Sequence, residues 1–434
     1  MQGKKIYIVG IGGIGLSSLA QLYLHEGARV SGSDRSDSPT TELLRSKGVE
    51  VFVGHHAEQV PTDADLLVYS DAVLEGSEGF VERVQAQDLG IPELSYAEAL
   101  GKMTEGKKVI AIAGAHGKTT TTAMTIDVLE AAGLDPTGVV GSLRAKTKSN
   151  FRAGKGEYFV VEADEYLRHF LNYTPYILVI TNIEADHLDY FKDLADVQSA
   201  FRELAQKIPA DGFVVCDTSS HEVQPVIKDL ECNLVDYRSH FDPDLALRVL
   251  PLHRINAAAV MAVAHIVGID EMVARKALED FVGTWRRFEY KGKTASGALV
   301  YDDYGHHPTE ISTTLKSVRE QFPDKRIIVA FHPHLYSRTK ALMAEFAKAF
   351  VDADEILIAP IFAAREKPDP TVTSAILAER IKAEGKNAQA VDSLEAVEDY
   401  IKNKTQEGDV VVTMGAGDIY KAGERSLPAG RQGS

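Results

Sequence analysis

The sequence predicts an α/β protein of three parallel-sheet blocks, and three observations lead there. Short apolar runs alternate with helical stretches along the chain, the pattern of repeated βαβ units. Two of these runs pass at once into glycine-rich turns that open helices, at 10–15 and 114–117. A further set of strand-like runs begins after Lys291-Gly292-Lys293. With 434 residues the chain can bury two or three cores. Its 44% hydrophobic and 25% charged residues are ordinary for a globular protein.

The first block, 1–105, carries strand-like runs at 6–9, 29–33, 49–53 and 66–69. Gly10-Ile11-Gly12-Gly13-Ile14-Gly15 follows the first run, and Asp34 ends the second. That spacing is the dinucleotide fingerprint, in which a tight turn lays a pyrophosphate on a helix N-terminus. Alone it suggests a nicotinamide-dependent oxidoreductase. The same glycines would hold any pyrophosphate, so the block is read as a site for the diphosphate of a nucleotide-linked substrate. The polar stretch 103–108 reads as a linker.

The second block, 106–292, opens on the apolar run 109–113 and then Gly114-Ala115-His116-Gly117-Lys118-Thr119-Thr120, with a helical pattern running to Gly133. Strand, glycine loop, Lys-Thr and helix form a triphosphate cradle. Backbone amides face the phosphates, Lys118 adds a full positive charge, and Thr119 can reach Mg²⁺. Only two residues separate the glycines, so the loop is a short variant. Glu162-Ala163-Asp164-Glu165 follows the run 158–161, and Thr181 to His187 follows 177–180. Both groups therefore sit at carboxyl ends of strands, where ligands bind in open α/β sheets. Glu162 is the leading carboxylate for Mg²⁺, with Asp164, Glu165 and Asp186 behind it, and His187 is placed for a second ion or a phosphate. A helix is expected at 255–267, and Trp285-Arg286-Arg287-Phe288-Glu289 closes the block.

The third block, 293–434, has strand-like runs at 299–302, 326–331, 355–359 and 409–414. Two of them end in polar clusters, Tyr301 to Pro308 and Phe331 to Thr339, which hold His306, His307, His332 and His334. From about 423 the chain is rich in Gly, Ser and Arg and is expected to be disordered. The net charge of −16 argues against nucleic acid or an anionic membrane as the main partner. Cys216 and Cys232 lack metal-ligand spacing. No signal peptide is read at the start, and the apolar stretch 257–269 is too short to span a bilayer, so a cytoplasmic location is expected.

Seven runs carry a resemblance over essentially the whole chain. They are Ile-Gly-Gly-Ile-Gly-Leu-Ser at 11–17, Ala-His-Gly-Lys-Thr-Thr-Thr at 115–121, Glu-Ala-Asp-Glu at 162–165 and Thr-Asn-Ile-Glu-Ala-Asp-His at 181–187. Arg-Arg-Phe-Glu at 286–289, the run 302–310 and Pro-His-Leu-Tyr-Ser-Arg-Thr at 333–339 complete the set. In these runs and their order the chain resembles the Mur ligases. The resemblance implies a Rossmann-like N-terminal domain for a UDP-sugar, a central P-loop ATPase-type domain and a Rossmann-like C-terminal domain for an amino acid. It also implies ATP and Mg²⁺, with UDP-N-acetylmuramate and L-alanine as the substrates to be joined through an acyl phosphate. A preformed tripeptide in place of L-alanine is the nearest alternative.

By that resemblance Gly114, His116, Gly117, Lys118, Thr119 and Thr120 bind ATP, and Lys118, Glu162, His187 and Arg287 are the catalytic set. Thr119, Glu162 and His187 would hold metal, and Arg287 and Asp303 would touch the nucleotide. Gly12, Gly13, Ile14, Gly15, Ser17, Asp34, His55 and Ser70 would line the UDP-sugar site, and His334, Tyr336 and Arg338 would position the alanine. The stretch Leu252-His253-Arg254-Ile255-Asn256-Ala257 departs from the family pattern near the adenine and leaves His253 or Asn256 for that contact. The segment 216–252 is shorter than the family's, from which a reduced peripheral sheet is expected.

Overall fold

The computed structural model describes residues 1–428 apart from Leu188, Asp189, Leu247 and Arg365. It divides into two units, Met1–Leu245 with Ile255–Val282, and Ala246–Arg254 with the chain from Gly283 onward.

The first unit holds two sheets. One consists of β1 (Lys5–Val9), β2 (Arg29–Asp34), β3 (Glu50–Val53), β4 (Leu66–Tyr69) and β5 (Glu93–Ser95), all parallel in the order β3-β2-β1-β4-β5. The order reverses between β1 and β4, so a crevice opens beyond their carboxyl ends, at Gly10 and Ser70.

The other sheet consists of β6 (Lys108–Ala113), β7 (Thr137–Arg144), β8 (Ser149–Arg152), β9 (Tyr158–Glu162), β10 (Pro175–Ile180), β11 (Phe213–Cys216) and β12 (Asn233–Asp236), in the order β12-β11-β10-β6-β9-β7-β8. Only the β7–β8 hairpin is antiparallel. β6 is apolar on both sides because both faces are covered. Val109, Ala111 and Ala113 enter one core, and Ile110 and Ile112 the other. Pairing of Ile112 with Glu162 and of Ala113 with Ile180 brings three strand ends together. Gly114, Glu162 and Thr181 meet there.

The two sheets of this unit are tied by a buried polar joint. Ser17 and Gln21 lie on the helix Ile14–His25, which opens at the glycine turn, and Asn150 lies on β8. The Asn150 amide donates to Ser17 Oγ at 2.9 Å and to the Ile14 carbonyl, and its oxygen accepts from Gln21 Nε2 at 2.9 Å. All three side chains are buried.

The second unit holds β13 (Glu289–Lys293), β14 (Leu299–Asp303), β15 (Ile327–Phe331), β16 (Glu355–Ile358), β17 (Asn387–Ala390) and β18 (Val410–Met414), in the order β13-β14-β18-β15-β16-β17. β13 alone runs antiparallel, at one edge, so residues that the sequence reading gave to the second block pair in this third sheet. The expectation of disorder from 423 is corrected for 423–428. The helix Ile419–Arg425 crosses it, and Gly423 and Leu427 are buried, the latter in the core beside Val300 and Val411. Residues 429–434 lie outside the described part of the chain.

Asn150→Ala removes three bonds and leaves their partners buried, so it should cost about 1–3 kcal/mol of stability. Urea unfolding of the full chain checks this; an unchanged midpoint would show that the joint contributes nothing.

Candidate active site

β6 ends in the short loop because two residues there accept what only glycine accepts. Gly114 has φ +134°, and a Cβ on it would stand 2.1 Å from Thr181 Oγ1 and 2.8 Å from the Asn182 carbonyl. Gly117 has φ +83°, and its Cβ would stand 2.7 Å from Asn256 Oδ1. The loop is held from β10. The His116 amide donates to Asn182 Oδ1 at 2.9 Å, and its carbonyl accepts from Thr181 Oγ1 at 2.6 Å and Asn182 Nδ2 at 3.1 Å.

Lys118 begins the helix Lys118–Ala131 and turns back over the loop. Its ammonium donates to the Gly114 carbonyl at 2.6 Å and to both oxygens of Glu165, at 3.0 and 2.9 Å. Burial alone would lower the Lys118 pKa. The carboxylates of Glu165, Asp164 and Glu162 outweigh it and hold the group above the ordinary lysine value, so the lysine is charged. Thr119 Oγ1 donates to Glu162 Oε1 at 3.0 Å, and Glu162 Oε2 accepts from the Gly141 amide at 2.8 Å.

One ligand atom from each of Asp164, Glu165 and His187 lies within 4.8 Å of the others. His187 takes φ +53°, a costly conformation for a non-glycine residue, with its amide on Asp186 Oδ1 at 2.7 Å and its ring 4.9 Å from that of Tyr166. The resemblance implies Thr119 and Glu162 at one ion and His187 at a second. Glu162 and Thr119 are hydrogen-bonded to each other, and His187 lies apart from that pair, beside Asp164 and Glu165.

At the first glycine turn Gly10 has φ +83°, and the Gly12 amide donates to Asp34 Oδ2 at 2.8 Å. Oδ1 of Asp34 accepts from the Ser36 amide at 3.3 Å, so one oxygen braces the glycine turn and the other the chain just after β2. A Cβ on Gly15 would stand 2.7 Å from Tyr96 Cζ. Tyr96 lies under the turn, and burial followed by the charges of Glu162 and Asp164 raises its pKa.

Gly12, Gly13, Ile14, Gly15 and Ser70 do gather at the β1 and β4 ends. Two other predicted contacts face inward. Ser17 is fully buried in the Asn150 joint. The His55 side chain is buried, with Nδ1 3.0 Å from Ser33 Oγ and 3.2 Å from Glu82 Oε2, and its hydrogen bond to Glu82 raises its pKa. Glu82, fully buried, also accepts from Tyr7 OH at 3.0 Å and Ser33 Oγ at 2.5 Å. Both predicted residues support the crevice from behind.

In the second unit the ends of β14, β18 and β15 place Asp303, Gly415 and His332 side by side, with the Gly415 amide on the Asp303 carbonyl at 3.1 Å. Asp303 accepts from the Phe288 and Gly305 amides, both at 2.8 Å, and burial raises its pKa to about 6. Arg286 is buried, with Nε 2.7 Å from Asp302 and Nη1 3.0 Å from the Gly417 carbonyl. Arg287 is less buried, with Nη1 3.6 Å from Glu310 and its guanidinium 5.4 Å from the Tyr304 ring.

Arg338 Nη1 and His334 Nδ1 are 3.2 Å apart, and the His334 ring stacks on Phe362 and lies 5.9 Å from His306. Burial lowers the pKa of His334 and of His332 to about 4, and lowers that of His306. Neutral His334 and His306 thus stand near the Arg338 guanidinium, whereas the guanidinium acting on His332 is that of Arg286. Tyr336 opens the adjoining short helix Tyr336–Ala341.

His253 is buried in the second unit, whereas Asn256 reaches the 114–117 loop in the first, so Asn256 is the residue placed at the loop. Sequence reasoning assigned no role to Asn150, Tyr96 or Glu82, for which no local pattern exists. It also passed over Gly415-Ala416-Gly417, a glycine turn after an apolar strand, which was a usable signal.

Three successive family models match the chain: Mur ligase family, catalytic domain, over 5–108; Mur ligase middle domain, over 112–244; and Mur ligase, glutamate ligase domain, over 286–417. The chain belongs to the Mur ligase family. It is 41% identical to a UDP-N-acetylmuramate–L-alanine ligase of Caldanaerobacter subterraneus subsp. tengcongensis, over 98% of this chain and 97% of that protein. It is 40% identical to the same-named enzyme of Clostridium novyi, over 98% of each. Among solved structures it is similar to a UDP-N-acetylmuramate-alanine ligase from Thermotoga maritima, with 27% identity, a TM-score of 0.77, and coverage of 97% of this chain and 98% of that one. A murein peptide ligase from Psychrobacter arcticus shares the fold, with 24% identity, a TM-score of 0.71 and 98% coverage of each chain.

Burial also lowers the His253 pKa to about 4. A histidine whose folded pKa lies below its unfolded value contributes fully above about 6.5, and that contribution is lost as pH falls towards about 4. Between pH 7 and pH 5 the chain should lose about 1–2 kcal/mol for each of the buried residues His253 and His332. Urea midpoints across this range check it, and His332→Asn should flatten the slope.

Proposed function

We propose that this chain is an ATP-dependent ligase that joins L-alanine to the lactyl carboxylate of UDP-N-acetylmuramate, a step of peptidoglycan precursor synthesis. The observation that carries the reading is Lys118, a charged lysine that opens the helix following a glycine loop, a setting that favours phosphate. The full-length identity to L-alanine ligases names the substrates. We divide the work among 1–105 for the UDP-sugar, 106–292 for ATP and 293–434 for the amino acid.

A carboxylate oxygen of the sugar attacks the γ-phosphorus of ATP, and ADP leaves. The amine of L-alanine then attacks the acyl carbon, phosphate leaves and the nitrogen loses its proton. Both partners in the first step are anions, so positive charge must be in place before they meet. Lys118 supplies part of it. The oxygens of Thr119 with Glu162, and of Asp164 and Glu165 beside the His187 imidazole, are the hard donors that suit Mg²⁺. Bound there, Mg²⁺ would neutralise phosphate oxygens.

In the third block Arg338 suits the alanine carboxylate, and neutral His334 and His306 suit its amine. Arg287 and Asp303 are assigned to the nucleotide. Holding the partners in line can contribute as much as ~7–11 kcal/mol to the rate. Among the described residues no helix is long and apolar enough to cross a membrane, and we place the reaction in the cytoplasm, where ATP is at hand. The oxidoreductase reading has little support, since the full-length relatives are named as ligases and Asp34 is engaged by the Gly12 and Ser36 amides.

Purified protein should release phosphate only when ATP, Mg²⁺, UDP-N-acetylmuramate and L-alanine are all present. Lys118→Ala should lower that rate by about three orders of magnitude or more with the circular-dichroism spectrum retained; a wild-type rate in this variant would sink the assignment. Replacing L-alanine by glycine, L-serine or the tripeptide should slow the reaction. Faster turnover with the tripeptide would instead identify a recycling ligase.

A further inference from the structure

The ammonium of Lys118 has three protons, and three acceptors take them: the Gly114 carbonyl and both oxygens of Glu165. The side chains are 15% and 3% exposed, so water hardly competes for the pair. Lys118 therefore cannot turn towards a phosphate without giving up a partner. Gly114 belongs to the loop itself, which leaves Glu165 as the partner to be exchanged.

The neighbouring carboxylates are differently engaged. Glu162 is committed to Thr119 and Gly141, and Asp164 is exposed, with Oδ1 on the Tyr166 amide at 3.0 Å. We propose that Glu165 stands in for a nucleotide phosphate at Lys118, so that ATP binds by displacing this internal carboxylate. The proposal rests on the reading of 114–119 as a phosphate loop.

Two consequences follow from the chemistry. The internal anion keeps a buried ammonium compensated when no nucleotide is present, at the expense of nucleotide affinity. Once displaced, the Glu165 carboxylate is itself buried and needs a positive partner, and it already stands with Asp164 and His187. Glu165 is on this account a positioning residue, acting through Lys118.

The test is calorimetric titration of the full chain with ATP in EDTA, where no divalent cation contributes. Glu165→Gln keeps the shape and removes the competing charge, and should tighten ATP about tenfold or more, about 1.4 kcal/mol. Glu165→Ala should tighten it too, which covers a folding defect peculiar to the glutamine. Asp164→Asn removes a charge of the same sign that does not touch Lys118, and should change affinity by less than about fivefold. A mere structural support for Lys118 would weaken binding when lost, so unchanged or weaker ATP binding by both Glu165 variants overturns the proposal and leaves the phosphate loop standing. Equal tightening by Asp164→Asn also overturns it, since bulk charge would then account for the effect. Failure of the wild-type protein and every variant to bind ATP would remove the phosphate-loop reading, and the proposal with it.

Discussion

The close approach of Gly114 to the end of β10 is the constraint on which the 114–117 loop depends. Thr181 and Asn182 occupy the space where a Cβ would be and hold the His116 peptide from both its amide and its carbonyl. That clamp sets where the helix from Lys118 begins, and so where its ammonium and the Thr119 hydroxyl fall relative to the β9 end. The in-register pairing of β6 with β9 and β10 then brings Glu162, and the residues just beyond it, to the same spot. A chain of ordinary sheet hydrogen bonds thus fixes the spacing of charges in the site.

The electrostatics of that spot reverse what overall composition suggests. A chain of net charge −16 with three carboxylates around one lysine looks hostile to a triphosphate. Yet those carboxylates keep the buried lysine charged against the pull of desolvation. They also supply hard oxygen donors for cations, which a site that brings two anions together requires.

Most strands were legible because sheets covered on both faces leave long apolar runs, as in β6, β10 and β15. Apart from β7, an eight-residue strand inside its sheet, the strands that went unread are short or lie at edges. Ser149–Arg152, Asn233–Asp236 and Asn387–Ala390 bury few side chains, and their sequences carry almost no strand signal. The tail misled for a related reason. Gly423 looks like a breaker, but it fits the helix because it packs on Thr413 and Val300, contacts that composition does not encode.

In the site the same division holds. Local spacing singled out the glycine turns, Lys118, Thr119 and the two acidic runs, because a strand–loop–helix turn is written in one continuous segment. Spacing could not tell that Ser17 and His55 face inward, that Glu165 pairs with Lys118, or that Asn256 and not His253 reaches the loop. Those outcomes depend on which residues distant in the chain are packed against each other. The sequence by itself determined the chemistry available, since residue types and short spacings carry it. Only the tertiary structure decided the partners, because burial and strand register choose which charges and hydrogen-bonding groups must satisfy one another.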